Sequence, residues 1–228
     1  AFDLPGDGVN ALHKAGLIQD PYWGRNEYGL RWICERDWTI RREVVLSRTD
    51  YVFVADMLDT VAEVRVNGVE VLKADSMFRP QRADMSNAAK VGTNVIEITF
   101  RSSAKEAAER QAAQPFYIPY SRNNCPIPNG NMLRKPQCDF GWDWNIALAP
   151  FGLYGHIRFE PRRAFRIAHL IVAQRHDAGR AFVNVSVGIE GQAEGEMVTT
   201  TLCGQTATTR VLGGQARAEI AVESPDLW

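Results

Sequence analysis

The sequence predicts an all-β protein, a jelly-roll β-sandwich followed by a small immunoglobulin-like β-sandwich. Three observations carry this expectation. Short strand-like stretches are numerous, Gly- and Asn-containing turns separate them, and only two segments read as helix. The 228 residues, 45% of them hydrophobic, suit one large domain or one domain and part of another. A chain of this length buries roughly 70% of its unfolded surface without metal or disulfide support.

In chain order, Val9 to Ile18 reads as a short helix with Asn10 as its cap and Gly16 as its stop, and Asp20 to Glu27 is turn-rich. Trp38 to Ser47, Tyr51 to Met57 and Val95 to Phe100 read as strands. The clearest local signal lies between Val61 and Leu72. There Val64, Val66, Val69 and Val71 alternate with charged residues around Asn67-Gly68, a pair suited to a type I′ hairpin turn with φ > 0 at both positions. Ser103-Ala104-Lys105-Glu106 is a capping box opening a second helix, with Glu106 and Arg110 spaced as an i,i+4 pair and Pro115 as its end.

Periodicity vanishes from Pro115 to Pro150. An irregular segment of that length is usually functional or disordered, and its Tyr and Trp content argues against disorder. Strand character returns at Phe151 to Glu160 and stops at Pro161-Arg162-Arg163, which sets the expected domains at 1–163 and 164–228. In the second, Arg166 to Ala173, Ala181 to Ile189, Glu196 to Cys203 and Ala216 to Val222 are spaced like sandwich strands. Its roughly 65 residues are few for a complete immunoglobulin-like domain.

Charge and composition exclude several functions. Twenty-six Lys and Arg against 27 Asp and Glu give a net charge of −1, so no global field attracts nucleic acid. No apolar run is long enough to span a bilayer. The N-terminus lacks a basic start and apolar run, which favours the cytoplasm. An exported or lysosomal location stays open, because a leader removed earlier leaves no trace. The four cysteines are expected to be mostly buried thiols, with a Cys125–Cys138 bridge as the alternative for an exported protein. His13, His156, His169 and His176 lack metal-ligand spacing, and His156 reads as a packed strand residue. With no Gly-rich phosphate loop after a strand and no Gly-x-Ser-x-Gly elbow, neither metal, cofactor nor serine nucleophile is expected.

One segment does concentrate chemistry. Arg134 to Trp144 holds two indoles, two carboxylates, a guanidinium and an amide. Indoles cover the C–H faces of a pyranose, and a carboxylate accepts hydrogen bonds from paired hydroxyls. The competing explanation places Trp142 and Trp144 on one buried face of a strand with Asp143 solvated opposite. The carboxylate pairs Asp139/Asp143 and Asp56/Asp59 are candidates for a retaining glycosidase's acid and nucleophile only by proximity in sequence. No catalytic residue is assigned to this chain.

Several segments together resemble the N-terminal part of β-mannosidases of glycoside hydrolase family 2. They are Ala15-Gly16-Leu17-Ile18 with Asp20-Pro21-Tyr22 and Asn26-Glu27, Asp37-Trp38, Leu58 to Val64 with Val66-Asn67-Gly68, Met77-Phe78-Arg79, and Arg134 to Gln137 with Phe140 to Trp144. The resemblance implies a galactose-binding-like, sugar-binding-type jelly roll, then an immunoglobulin-like domain, then a catalytic barrel in cis that carries both catalytic glutamates. In such enzymes the Phe-Gly-Trp-Asp-Trp loop completes the subsite for a terminal β-mannoside. Carried over, Asp143 contacts sugar hydroxyls, Trp142 and Trp144 shape the pocket wall, and Arg134 and Gln137 support them. Asn145-Ile146 stands where Gly-Pro usually follows the second Trp. Ser224 to Trp228 resembles the run preceding the barrel, so the chain is expected to be a non-catalytic fragment of a retaining exo-β-mannosidase. The alternatives are an autonomous carbohydrate-binding module, an architectural wedge, or the same domain of a family 2 β-galactosidase, β-glucuronidase or exo-glucosaminidase.

Overall fold

Strand pairing begins from local turns of the kind the sequence announces. Residues Asn67 and Gly68, at φ 51° and 84°, form a two-residue turn between strands β4 (Ala62–Val66) and β5 (Val69–Ala74). Asn67 does more than turn the chain. Its Oδ1 accepts the Val95 amide and its Nδ2 donates to Ala88 O and Asn94 Oδ1, which fastens the hairpin to strand β7 (Gly92–Phe100).

The computed structural model describes residues 2–226, and the chain divides into two compact units, the second beginning at Arg163. The protein is all-β in character. Its first unit holds two four-stranded antiparallel sheets. One has the order β1 (Gly6–Asp7), β8 (Gly152–Pro161), β3 (Tyr51–Asp59), β6 (Gln81–Asp84). The other runs β2 (Trp38–Leu46), β7, β4, β5. Phe53, Ala55, Leu58 and Leu153 from the first sheet share a buried cluster with Val64, Val66, Ile96, Ile98 and Phe100 from the second. Burying such side chains is worth about 1.5–3 kcal/mol each, which is what holds a sandwich closed.

The helices deviate from expectation at their ends. Helix α1 spans Gly8–Lys14 and is capped by Asp7, whose carboxylate accepts the Asn10 amide, so Asn10 is inside the helix. Helix α3 spans Ser103–Ala112 and is capped by Ser102, which accepts from Lys105 N, one residue before the expected box. The expected Glu106–Arg110 pair forms at 3.8 Å. Within and after the turn-rich stretch lie a short helix α2 (Asn26–Leu30) and a 3₁₀ turn (Arg31–Glu35) that buries Ile33 and Cys34. The segment from Pro115 to Pro150 is irregular apart from 3₁₀ turns at Gly130–Met132 and Gln137–Phe140.

The second unit contains a three-stranded sheet, β13 (Gln215–Glu223), β10 (Arg180–Gly191), β9 (Phe165–Asp177), and a hairpin of β11 (Met197–Leu202) with β12 (Gln205–Arg210). Val183, Val185 and Val187 of β10 form its core with Ala193, Val211 and Ala216. Strand β12, half of it Thr, was not expected. The run Ser224 to Trp228 ends outside the described residues.

Two expectations about single residues fail. All four cysteines are free; Cys34 is buried, Cys125 and Cys138 are half-buried, and Cys203 is exposed in the β11–β12 turn, so most are not core thiols and Cys125 and Cys138 are not bridged. His156 lies on strand β8 as expected but is exposed.

Candidate functional site

The irregular segment is an arm with a packed base. Phe140 is buried with Ile127, Leu133, Ala147 and Ala149, and Cys34 and Ala107 of the sandwich unit join the same cluster. The loop's backbone is knitted to itself. Ala149 N donates to Asp139 O, Gly141 N to Cys138 O, and Ile127 N to Phe140 O. Gly141 is required here. At φ +112° an L side chain is strained, and a Cβ would lie 2.6 Å from Pro126 Cδ and 2.7 Å from Asn124 O. Glu27 of α2 accepts the Ala147 amide at 2.9 Å, which ties the short helix to the loop's return.

At the base sits an ionic cluster that the sequence reading missed. Lys135, 2% exposed, donates from Nζ to Asp59 Oδ2 at 3.0 Å and to Pro150 O at 2.7 Å, and pairs with Asp139 Oδ2 at 3.0 Å. Asp59 is fully buried at the end of β3 and also accepts from the Thr60 hydroxyl. Burial pushes the Asp59 carboxyl above its ordinary value, and the Lys135 charge opposes that push. The Tyr154 phenol is also pushed up, by burial first and then by the nearby carboxylates Asp59, Asp7 and Asp139. A cavity of about 260 Å³ opens beside the cluster, lined among others by Asp7, Asn10, Tyr22, Asp139 and Asn145.

Beyond the base the loop turns outward. Asn145 Nδ2 donates to Cys138 O at 3.0 Å, and Trp142 N donates to Asn145 O at 3.1 Å, closing a tight turn around Asp143 and Trp144. No strand forms there, so the two indoles do not share a buried strand face. Trp142 is 36% and Trp144 74% exposed, with ring centroids 5.5 Å apart and planes tilted by 57°. Asp143 is exposed, and no described residue forms a hydrogen bond or ion pair with it. Solvent-facing indoles beside an unengaged carboxylate are groups available to a ligand rather than to the fold.

The other expected residues lie along the same segment. Arg134 has an exposed side chain, and its backbone bridges Ser76 and accepts the Met77 amide, which places the Met77-Phe78-Arg79 motif beside it. The Gln137 amide donates to the carbonyls of Gly130, Leu133 and Lys135, so its nitrogen braces the loop. The acid pairs named from proximity are divided by their surroundings. Asp56 is held at the surface by Arg158 and the His156 amide, whereas Asp59 is sealed against Lys135. Asp139 is likewise committed to Lys135, leaving Asp143 as the open carboxylate of its pair. Among the described residues no group of three or more His, Cys, Asp or Glu is placed to hold a metal ion, and no helix is long and apolar enough to cross a membrane.

The family model described as glycosyl hydrolase 2 galactose-binding domain-like matches residues 1–155. The chain is 35% identical over 179 residues to a β-mannosidase of Mus musculus, covering 73% of this chain and 20% of that protein. It is 31% identical over 232 residues to β-mannosidase B of Aspergillus fumigatus, covering 95% of this chain and 27% of that protein. A solved β-D-mannosidase from Dictyoglomus thermophilum superimposes with a TM-score of 0.81 at 23% identity, covering the whole of this chain and 29% of that one. The chain therefore spans between a fifth and a third of the length of these relatives. With a match across more than half its residues, carrying both the sandwich and the exposed Trp-Asp-Trp loop, the chain belongs to the glycosyl hydrolase 2 galactose-binding domain-like family.

Proposed function

We propose that this chain is the N-terminal region of a retaining exo-β-mannosidase and that its loop completes the pocket for a terminal β-D-mannose. The first unit, to about residue 163, is the sugar-binding-type jelly roll, and residues 164–228 belong to an immunoglobulin-like sandwich. The acid and the nucleophile come from a catalytic barrel in cis. Asp143 accepts hydrogen bonds from sugar hydroxyls, and Trp142 and Trp144 present apolar walls to the ring's C–H faces. Arg134 lends a neighbouring charge, and Gln137 keeps the loop in shape.

The observation that carries this reading is the free carboxylate of Asp143 between two outward indoles on an otherwise well-fastened loop. A carboxylate selects by geometry, since a sugar whose hydroxyls point elsewhere leaves it unpaired in a closed pocket. A charge-assisted hydrogen bond of this kind is worth about 1.5–3 kcal/mol, or roughly 10- to 150-fold. In the complete protein, Asp143→Ala is expected to lower kcat/KM on an aryl β-D-mannoside by at least that factor. Parent-like turnover discards the assignment.

A further inference from the structure

Lysine is among the residues least often fully buried, and taking an ammonium out of water is costly unless every donor is matched. Lys135 is matched by two hydrogen bonds, to the acceptors Asp59 Oδ2 and Pro150 O, and by an ion pair at 3.0 Å with the acceptor-only carboxylate of Asp139. Those acceptors belong to distant parts of the chain. Asp59 ends strand β3 of the sandwich, Asp139 lies in the 3₁₀ turn before the loop tip, and Pro150 O lies where the loop rejoins β8. One ammonium thus gathers the start, middle and end of the loop's last sixteen residues onto the end of strand β3.

We propose that Lys135 is a positioning residue, which through Asp59 and Asp139 fixes where Trp142, Asp143 and Trp144 meet the substrate. The inference rests on the function proposed above. The path from clamp to tip is short. Lys135 holds the Asp139 side chain, and the neighbouring Cys138 carbonyl takes both the Gly141 amide and the Asn145 side-chain amide. Asn145 O in turn receives the Trp142 amide. Stability alone does not account for such a cluster, because apolar residues of the same volume usually hold a core at least as well as a buried ion pair. What the ionic cluster adds is direction, since the two hydrogen-bonded acceptors must lie where an N–H points and Asp139 must stay within pairing distance of the ammonium.

Removing Lys135 strands the buried Asp59 carboxylate and can unfold the chain, so the deciding variant is Asp139→Asn, which leaves the Lys135–Asp59 pair intact. In the complete protein, with an aryl β-D-mannoside as probe, Asp139→Asn is expected to lower kcat/KM by roughly 10- to 100-fold, the scale of a small misplacement of a substrate contact. In an Asp143→Ala background the same substitution is expected to cost several-fold less than in the parent, because the charged one of the three contacts it positions is gone. An equal loss in both backgrounds, or no loss in the parent, overturns the proposal. The tilted indole pair supplies a second reading. Its circular-dichroism couplet, taken as the difference from Trp144→Phe, is expected to shrink in Asp139→Asn and to survive in Asp143→Ala. Full activity of Asp143→Ala overturns the functional reading instead. In that event a lost couplet in Asp139→Asn sustains the positioning of the tip, and an unchanged couplet overturns it.

Discussion

The base and the tip of the long loop lie within about ten residues of each other and obey opposite rules. At the base, Lys135, Asp59 and Asp139 are engaged with one another, and Phe140 is packed among aliphatic side chains. At the tip, Trp144 is 74% exposed and Asp143 is unengaged. A loop that was merely surface decoration would be loose throughout, and one that was merely core would be closed throughout. An arm needs a rigid root and free chemistry at its end, because side chains that bind must be held by groups that do not.

The sharpest way to break this contrast is at the root. Lys135→Ala leaves Asp59 buried without its counter-charge and is expected to destabilise the chain by about 3–5 kcal/mol in urea unfolding, as removal of one partner of a buried pair does. Gly141→Ala should cost about 1–3 kcal/mol, since it forces a side chain into positive φ against Pro126 and Asn124. At the tip, Trp144→Ala is expected to change stability by no more than about 0.5 kcal/mol in the same assay. A tip substitution as costly as a root one would erase the distinction.

The root also carries a pH signature of known sign. Burial raises the Asp59 carboxyl above its ordinary 3.8, so the folded chain binds that proton more tightly than the unfolded chain. Its contribution to stability is whole below pH 3.8 and is lost as pH rises through the folded pKa. Asp59→Asn is therefore expected to gain on the parent as pH is raised above 3.8 in denaturant titrations. A variant that loses ground over that range contradicts the assignment. The surface carboxylates Asp56 and Glu160, held down by hydrogen bonds from Arg158 and Arg82 respectively, pull the opposite way, and their stabilisation fades on acidification in parent and variant alike.

Much of this was legible in the sequence where the physics is local. The Asn67-Gly68 turn, the alternating strands beside it and the long aperiodic loop were all read correctly because two or three neighbouring residues decide them. Helix caps shifted by one to three residues because Asp7 and Ser102 compete with equally plausible neighbours in Asn10 and Ser103. Helix α2 was missed because five residues beside Gly24 carry no periodic signal. The Lys135–Asp59 contact joins residues 76 positions apart, and nothing local distinguishes a buried lysine from a surface one. The cysteines erred in the other direction, since a general tendency to burial says nothing of Cys203 in a turn between two exposed strands.

The central claim is that the tip serves a ligand and the root serves the fold, and a paired measurement on Asp143→Ala in the complete protein tests it most directly. The account predicts a fall in kcat/KM on an aryl β-D-mannoside of roughly 10-fold or more with the thermal midpoint unchanged. Unimpaired turnover, or a loss matched by a fall in the midpoint, would contradict it.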